Sequence, residues 1–210
     1  MKAGSSRRIS STSSDEPRES APSEIQFYRA NEKPYGVFSN LFQRAITFEG
    51  EVFATAEHAY QAGKARKKQV RDWILGAPTP GLVAMAAHGL YTWDIVPDWS
   101  RIKYDRMRAV LRAKFTQHAD LRDVLLSTGD ARLVEAGTVV NSVNYTWGEV
   151  NGKGKNMLGI MLMELRQEFR EKPKSKAKRA SRTTHKKGSG SRSVKSPVNG
   201  WPKGAGAMTV

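Results

Sequence analysis

Apolar and polar positions fall into regular patterns between Ile25 and about Glu171 and lose them on either side. Ile25, Phe27 and the Tyr28 that follows are a brief run of β-favouring residues and predict a short strand. The runs from Ala45 to Phe48 and from Glu51 to Phe53 flank Glu49-Gly50 and predict a hairpin. From Ala56 the spacing becomes helical. This helix is expected to run on through the basic stretch Lys64 to Lys68 and to continue over Gln69 to Leu75, stopping near Gly76. Thr79 opens another short helix, with Leu82, Met85 and Ala86 as its apolar positions. Asp98 is the expected cap of a longer helix from Trp99 to about Phe115, in which Ile102, Met107, Val110, Leu111 and Phe115 recur at helical spacing. A helix over Ala119 to Leu126, short strands at Arg132–Glu135 and Thr138–Val140, and a last helix from Asn156 to about Glu171 complete the series. In that last helix Leu158, Met161, Leu162 and Leu165 form one apolar stripe, the mark of a core-facing helix. The expected fold class is α+β: a single helix-rich domain with one small antiparallel sheet.

The flanks read differently. Residues 1–24 are rich in Ser, Arg and Pro without apolar periodicity, and residues 172–210 are mostly Lys, Arg, Ser, Gly and Pro with one isolated Trp201. Neither segment has enough apolar surface to offset the entropy of ordering, so both are expected to be disordered around a folded domain over 25–171. Charge supports the same division. The net charge is +15, yet residues 171–210 alone hold 11 Lys and Arg against one acid, and residues 1–24 balance with four of each sign. Most of the basic character therefore belongs to a C-terminal tail. Such a tail can bind polyanions such as nucleic acid without specificity, and its cluster from Lys176 to Arg182 would also serve as a nuclear address in a eukaryote.

Composition narrows the chemistry. With 210 residues, 39% hydrophobic content and five Trp, the chain can build one ordinary core. There is no cysteine, which removes disulfides, thiolate metal sites and a Cys nucleophile. No apolar run approaches the length of a membrane span and no signal-peptide stretch opens the chain, so a soluble, cytoplasmic protein without membrane partners is expected. His58, His88, His118 and His185 are scattered without ligand spacing, and neither a metal nor an organic cofactor is expected. Gly152-Lys153-Gly154-Lys155 lacks the preceding strand, the glycine spacing and the hydroxyl of a phosphate-binding loop.

Two stretches carry candidate chemistry. In Thr55 to Lys64, Thr55 can cap a helix, and Glu57 and Lys64, seven residues apart, return to nearly one face with Gln61 between them. Their axial separation of about 10 Å exceeds an ordinary ion pair, but the lysine leans back toward the helix N-terminus, so both heads can converge on one small ligand. Taken alone, the same pattern also describes a solvated charged face. The second stretch, Asn144 to Asn156, is a Gly-rich loop leading into the last helix, with Trp147 as a stacking surface or a packed structural residue. Tyr35 and Phe38, on a turn-rich segment broken by Pro34 and Gly36, are either core plugs or a wall for a flat ring.

The ordered set Tyr35-Gly36-Val37-Phe38-Ser39-Asn40-Leu41-Phe42, Glu57 to Lys64, Trp99 with Met107 to Phe115, Leu125 to Gly129, Leu133-Val134-Glu135, Trp147-Gly148 and Gly154 to Arg166 resembles the NADAR family, also called YbiA-like proteins, across residues 25–170. The resemblance implies a YbiA-like fold and an N-glycosidase acting on ribosylated nitrogen. The implied substrate is either a phosphoribosylated pyrimidine intermediate of riboflavin synthesis or ADP-ribose on guanine in nucleic acid. It also implies Glu57 as acid/base and Lys64 as active-site amine, with Tyr35, Gly36, Phe38, Asn40, Gln61, Trp99, Asn144, Trp147, Gly148 and Asn156 at the substrate. Two positions depart from the family's usual pattern: Ala56 stands where Ser is common and Asn144 where Asp is common. Asn144 can hydrogen-bond a sugar hydroxyl but cannot act as a base. That substitution favours the competing expectation, a weakened module that binds ADP-ribose or a nucleotide without turning it over.

Overall fold

The structure is a computed structural model that describes residues 22–171. All of these residues belong to one compact unit. The expectations for residues 1–21 and 172–210 lie outside the described residues.

Strand β1 (Glu24–Phe27) alternates outward Glu24 and Gln26 with buried Ile25 and Phe27. Its partner lies more than a hundred residues away. It pairs in parallel with β4 (Arg132–Glu135), with Ile25 opposite Leu133 and Phe27 opposite Glu135. A parallel pair requires a crossover, and here the crossover comprises most of the domain. The expected antiparallel sheet is the separate hairpin of β2 (Ile46–Phe48) and β3 (Glu51–Phe53). Glu49 and Gly50 turn it, both with left-handed φ, of 52° and 82°. Thr138–Val140 forms no strand. The side chain of Asn144 takes the carbonyl of Val139 at 2.7 Å, where a strand would have needed a ladder partner.

Helix α1 (Ala56–Ala62) is shorter than expected. It stops at Gly63 because Arg106 satisfies its last carbonyls, with Nη2 donating to Ala59 O at 2.7 Å and Nε to Tyr60 O at 3.1 Å. A Cβ on residue 63 would stand 2.2 Å from the Arg106 Nε, so only glycine fits beneath that guanidinium. The chain returns to helix in α2 (Lys68–Leu75), followed by α3 (Pro80–His88). Thr79 caps α3 as expected, accepting from Leu82 N at 3.2 Å. Its apolar face is rotated from the expected one: Val83 and Ala87 pack on Ile74 of α2, while Leu82 and Met85 are exposed.

The long helix α4 (Trp99–Gln117) buries Met107, Val110, Leu111 and Phe115. Asp98 occupies its N-cap position with φ of 59° and makes no capping bond through its side chain. Helix α5 (Ala119–Ser127) follows directly. Helix α6 (Ser142–Trp147) falls where a loop was expected; Asn141 caps it by accepting from Asn144 N at 2.8 Å. In α7 (Met157–Glu171) the stripe of Leu158, Met161, Leu162 and Leu165 is buried throughout. The core lies where β1, β4, α1, α4, α5 and α7 meet. The domain is thus helix-rich α+β. Among the described residues no helix is long and apolar enough to cross a membrane.

Candidate active site

Thr55 caps α1 as the sequence predicts, accepting from His58 N at 3.4 Å, and this sets Glu57 in the first turn. The Glu57 amide donates to Asn40 O at 3.0 Å, which joins the start of α1 to the 39–42 turn. Only 8% of Glu57 is exposed, and its Oε1 accepts from Gln61 Nε2 at 2.7 Å, one helical turn on. Lys64 is not on α1; it lies one residue past the Gly63 cap. Its amine donates to Ala87 O of α3 at 2.5 Å, and its own carbonyl accepts from Val96 N at 2.9 Å. Lys64 is as enclosed as Glu57.

Glu57 opens into a cleft of about 270 Å³ with Asn40, Gln61, Asn144, Trp147 and Glu135 on its walls. A second compartment of about 270 Å³ shares Tyr60, Gln61, His88, Val143 and Trp147 with it and adds Lys64, Trp99 and Lys103. Aromatic rings brace this region. The Tyr60 ring lies 5.3 Å from Trp99 and 5.7 Å, edge-on, from Trp147, while Lys103 Nζ stands 4.9 Å above Tyr104 and 6.0 Å above Trp147. Among the described residues Asn40 Oδ1 and Gln61 Oε1 are buried without a hydrogen-bond partner, and both are acceptors suited to a ligand's donors.

Enclosure sets the protonation chemistry. Burial pushes the Glu57 carboxyl up to about 7, against the Gln61 hydrogen bond and the Lys64 charge, which favour the anion. Glu135 is likewise pushed up to about 7, by burial and then by the negative charge of Glu57. Lys64 is lowered by burial and by Lys103, with Glu57 opposing. His88 is lowered by burial and by Lys64, which favours the neutral imidazole. Tyr60 is raised, chiefly by burial and then by Glu57. Two carboxyls and an amine with weakened preference for charge thus share one pair of compartments. Among the described residues no group of three or more His, Cys, Asp or Glu is placed to hold a metal.

Of the residues expected at the site, Glu57, Lys64, Asn40, Gln61, Trp99, Asn144 and Trp147 are brought together. The others are elsewhere. Phe38 is fully buried in the core, against Phe27 at 5.5 Å and Phe115 at 6.3 Å, and Tyr35 stacks on it at 5.7 Å; the pair is a core plug, not a wall for a ligand. Gly36 permits close packing on the carbonyl of Ala30, which a Cβ would approach to 2.6 Å. Gly148 and Asn156 stand behind Glu135. A Cβ on Gly148 would lie 2.1 Å from Glu135 O, and Asn156 Oδ1 accepts from Glu135 N at 3.1 Å while its Nδ2 donates to Leu133 O at 2.8 Å. Sequence reasoning passed over Glu135, His88 and Lys103 as site residues. The one signal for Glu135 was an acid closing the apolar run Leu133-Val134.

A family model described as the NADAR domain matches residues 26–170. The chain is 39% identical over 146 residues to N-glycosidase YbiA of Shigella flexneri serotype 5b (strain 8401), covering 69% of this chain and 88% of the relative. It is 38% identical over 150 residues to an N-glycosidase of Nostoc punctiforme, covering 70% and 92%. The NMR structure of E. coli YbiA superposes with a TM-score of 0.62 at 37% identity, over 70% of this chain and 85% of that one. The ordered motifs, the fold and these matches agree: the chain belongs to the NADAR domain family.

Proposed function

We propose that the chain is an N-glycosidase that hydrolyses the bond between C1 of a ribose and a base-like nitrogen. The observation that carries this reading is the grouping of Glu57 and Lys64, both enclosed, around compartments walled by Trp99 and Trp147. Cleaving a ribosyl C–N bond requires a proton for the departing nitrogen and stabilisation of positive charge at C1. A carboxyl poised near 7 serves either need according to its protonation state. Lys64, with its ammonium disfavoured by burial and by Lys103, is suited to attack C1 as a neutral amine and hold the sugar as a Schiff base until water releases it. Asn40 and Gln61 offer acceptors for sugar hydroxyls or amino groups, and Lys103 offers a cation to a phosphate.

The substrate class is a phosphoribosylated or ADP-ribosylated base. Base release from a phosphoribosylated pyrimidine and from ADP-ribosyl-guanine in an oligonucleotide, measured side by side, decides between the two members of that class. Glu57→Gln and Lys64→Ala should each lower release by orders of magnitude, to a small residual rate, while the protein stays folded. Borohydride should trap a sugar adduct on the wild type and none on Lys64→Ala. Full release by either variant refutes these roles, and ligand affinity without release by the wild type refutes the enzyme.

A further inference from the structure

The cleft holds one carboxyl more than the chemistry above uses. Glu135 closes strand β4, and its backbone is fixed on both sides: its amide donates to Asn156 Oδ1 at 3.1 Å and its carbonyl accepts from Glu149 N at 2.8 Å. Its side chain faces the same cleft as Glu57. The two carboxyls have different surroundings. Glu57 receives a hydrogen bond from Gln61 Nε2 at 2.7 Å and feels the positive charge of Lys64, and both favour the carboxylate. Among the described residues Glu135 receives no hydrogen bond at its carboxyl and pairs with no cation. Its only charged influence is Glu57, which disfavours its ionisation. The remaining titratable groups on the cleft and its neighbouring compartment are Tyr28, Arg29, Tyr60, His88 and Lys103.

We infer that Glu135 is a catalytic residue, the general acid that protonates the departing nitrogen, while Glu57 works as the ionised carboxylate beside C1. This rests on the N-glycosidase reading and divides its proton work between two residues. In the step, the C1–N bond breaks with its electron pair going to nitrogen, which takes the Glu135 proton. An oxygen of water, or the Lys64 nitrogen ahead of water, bonds to C1 and gives its proton to Glu57. The proton then returns from Glu57 to Glu135, and the sum is one water consumed per base and sugar released. Two carboxyls that repel each other's ionisation hold one proton between them over a range near neutrality. The hydrogen bond from Gln61 and the charge of Lys64 decide that Glu57 is the one that gives it up.

The pH profile of base release by the full chain separates the roles. An alkaline limb arises from a group that must carry a proton, whereas Glu57 as carboxylate and Lys64 as neutral amine both produce acid limbs. Glu135→Gln should lower base release by about 10² to 10⁴-fold at the optimum and remove the alkaline limb. A riboside with a pyridinium leaving group, which departs without a proton, should recover most of that loss. Glu57→Gln should keep the alkaline limb and lose activity equally on both leaving groups. If Glu57→Gln removes the alkaline limb, or if Glu135→Gln retains wild-type activity, the assignment is overturned. An NMR titration of the side-chain carboxyl carbons, assigned with the same two variants, tests it without any substrate. Glu135 should be the last of the pair to lose its proton, and the reverse order overturns the assignment. Absence of base release from the wild type refutes the N-glycosidase reading instead, and the titration order still decides which carboxyl holds the proton.

Discussion

Replacing Glu57 with Gln should make the protein more stable at neutral and alkaline pH while destroying its activity. The side chain is 8% exposed, so solvent does little to screen it, and burial raises its carboxyl from 4.5 to about 7. A carboxyl with a raised folded-state value binds its proton more tightly in the native than in the unfolded chain. Stability is therefore greatest below about 4.5, falls as pH rises toward 7, and stays reduced above it. At about 1.4 kcal/mol per tenfold change in proton affinity, holding Glu57 ionised costs about 3 kcal/mol above pH 7. Gln keeps the shape and gives Gln61 Nε2 an amide oxygen to donate to in place of the carboxylate. Its removal of charge also relieves Glu135. Urea unfolding followed by tryptophan fluorescence from pH 4.5 to 8.5 measures this directly. Wild type and variant should agree within about 1 kcal/mol at the acid end and diverge to about 3 kcal/mol at pH 8, the variant being the more stable. Parallel pH dependences for the two proteins would refute the reasoning, because they would mean that Glu57 titrates alike in the folded and unfolded chains.

Two further expectations concern residues that hold the site from outside it. Lys114 is fully buried, donates to Val37 O at 2.6 Å and Ser39 O at 2.9 Å, and is lowered to about 7 by burial and by Arg44. The unfolded chain therefore binds more protons between pH 7 and 10.5, and wild-type stability should rise with pH there by up to about 1.4 kcal/mol per pH unit. Lys114→Met should lose that rise and strip the Lys114 donor from Val37 O, while Ser39 O keeps the bond from Phe42 N at 3.2 Å, at about 1 to 3 kcal/mol as read by urea midpoints at pH 7 and 9. Arg106→Ala strips the guanidinium from Ala59 O and Tyr60 O at the end of α1, leaving Tyr60 O the longer bond from Gly63 N at 3.3 Å, and should cost about 1 to 3 kcal/mol in thermal unfolding.

What the chain reveals by itself is local. The Thr55 cap, the Glu49-Gly50 hairpin and the buried stripe of α7 each follow from a few adjacent residues, and each stands in the structure as the pattern predicts. Local pattern misleads where a distant partner decides. The β1–β4 pairing joins Phe27 to Glu135, and nothing near either residue specifies it. The spacing from Ala56 predicts a helix running on through Lys64 to Lys68, but Arg106, more than forty residues on, takes the last carbonyls and the helix ends at Gly63. The inward face of α3 depends on where Ile74 lies, because helical spacing alone fits Leu82 and Met85 as well as Val83 and Ala87. Glu57 and Lys64 were legible as a pair because their spacing is short. Glu135 was not, because strand pairing alone carries it to the cleft.

The treatment of acids across the domain explains why that carboxyl is unusual. Several acids elsewhere are matched with arginine: Glu49 with Arg106 at 2.9 Å, Glu51 with Arg71 at 2.7 Å, Glu24 with Arg132 at 2.6 Å. Arg132 lies on the same strand as Glu135, three residues earlier. An odd spacing on a strand directs side chains to opposite faces, so Arg132 serves Glu24 and Glu149 outside while Glu135 faces the cleft and, among the described residues, forms no ion pair. An arginine beside Glu135 would hold it ionised and remove its use as an acid. The fold fixes the backbone instead, through Asn156 at Glu135 and through Asn40 O at Glu57, and leaves both carboxyls free to exchange protons. Position is thus set by main-chain contacts and protonation by burial, and this separation allows a pair of acids to be held rigidly without being neutralised.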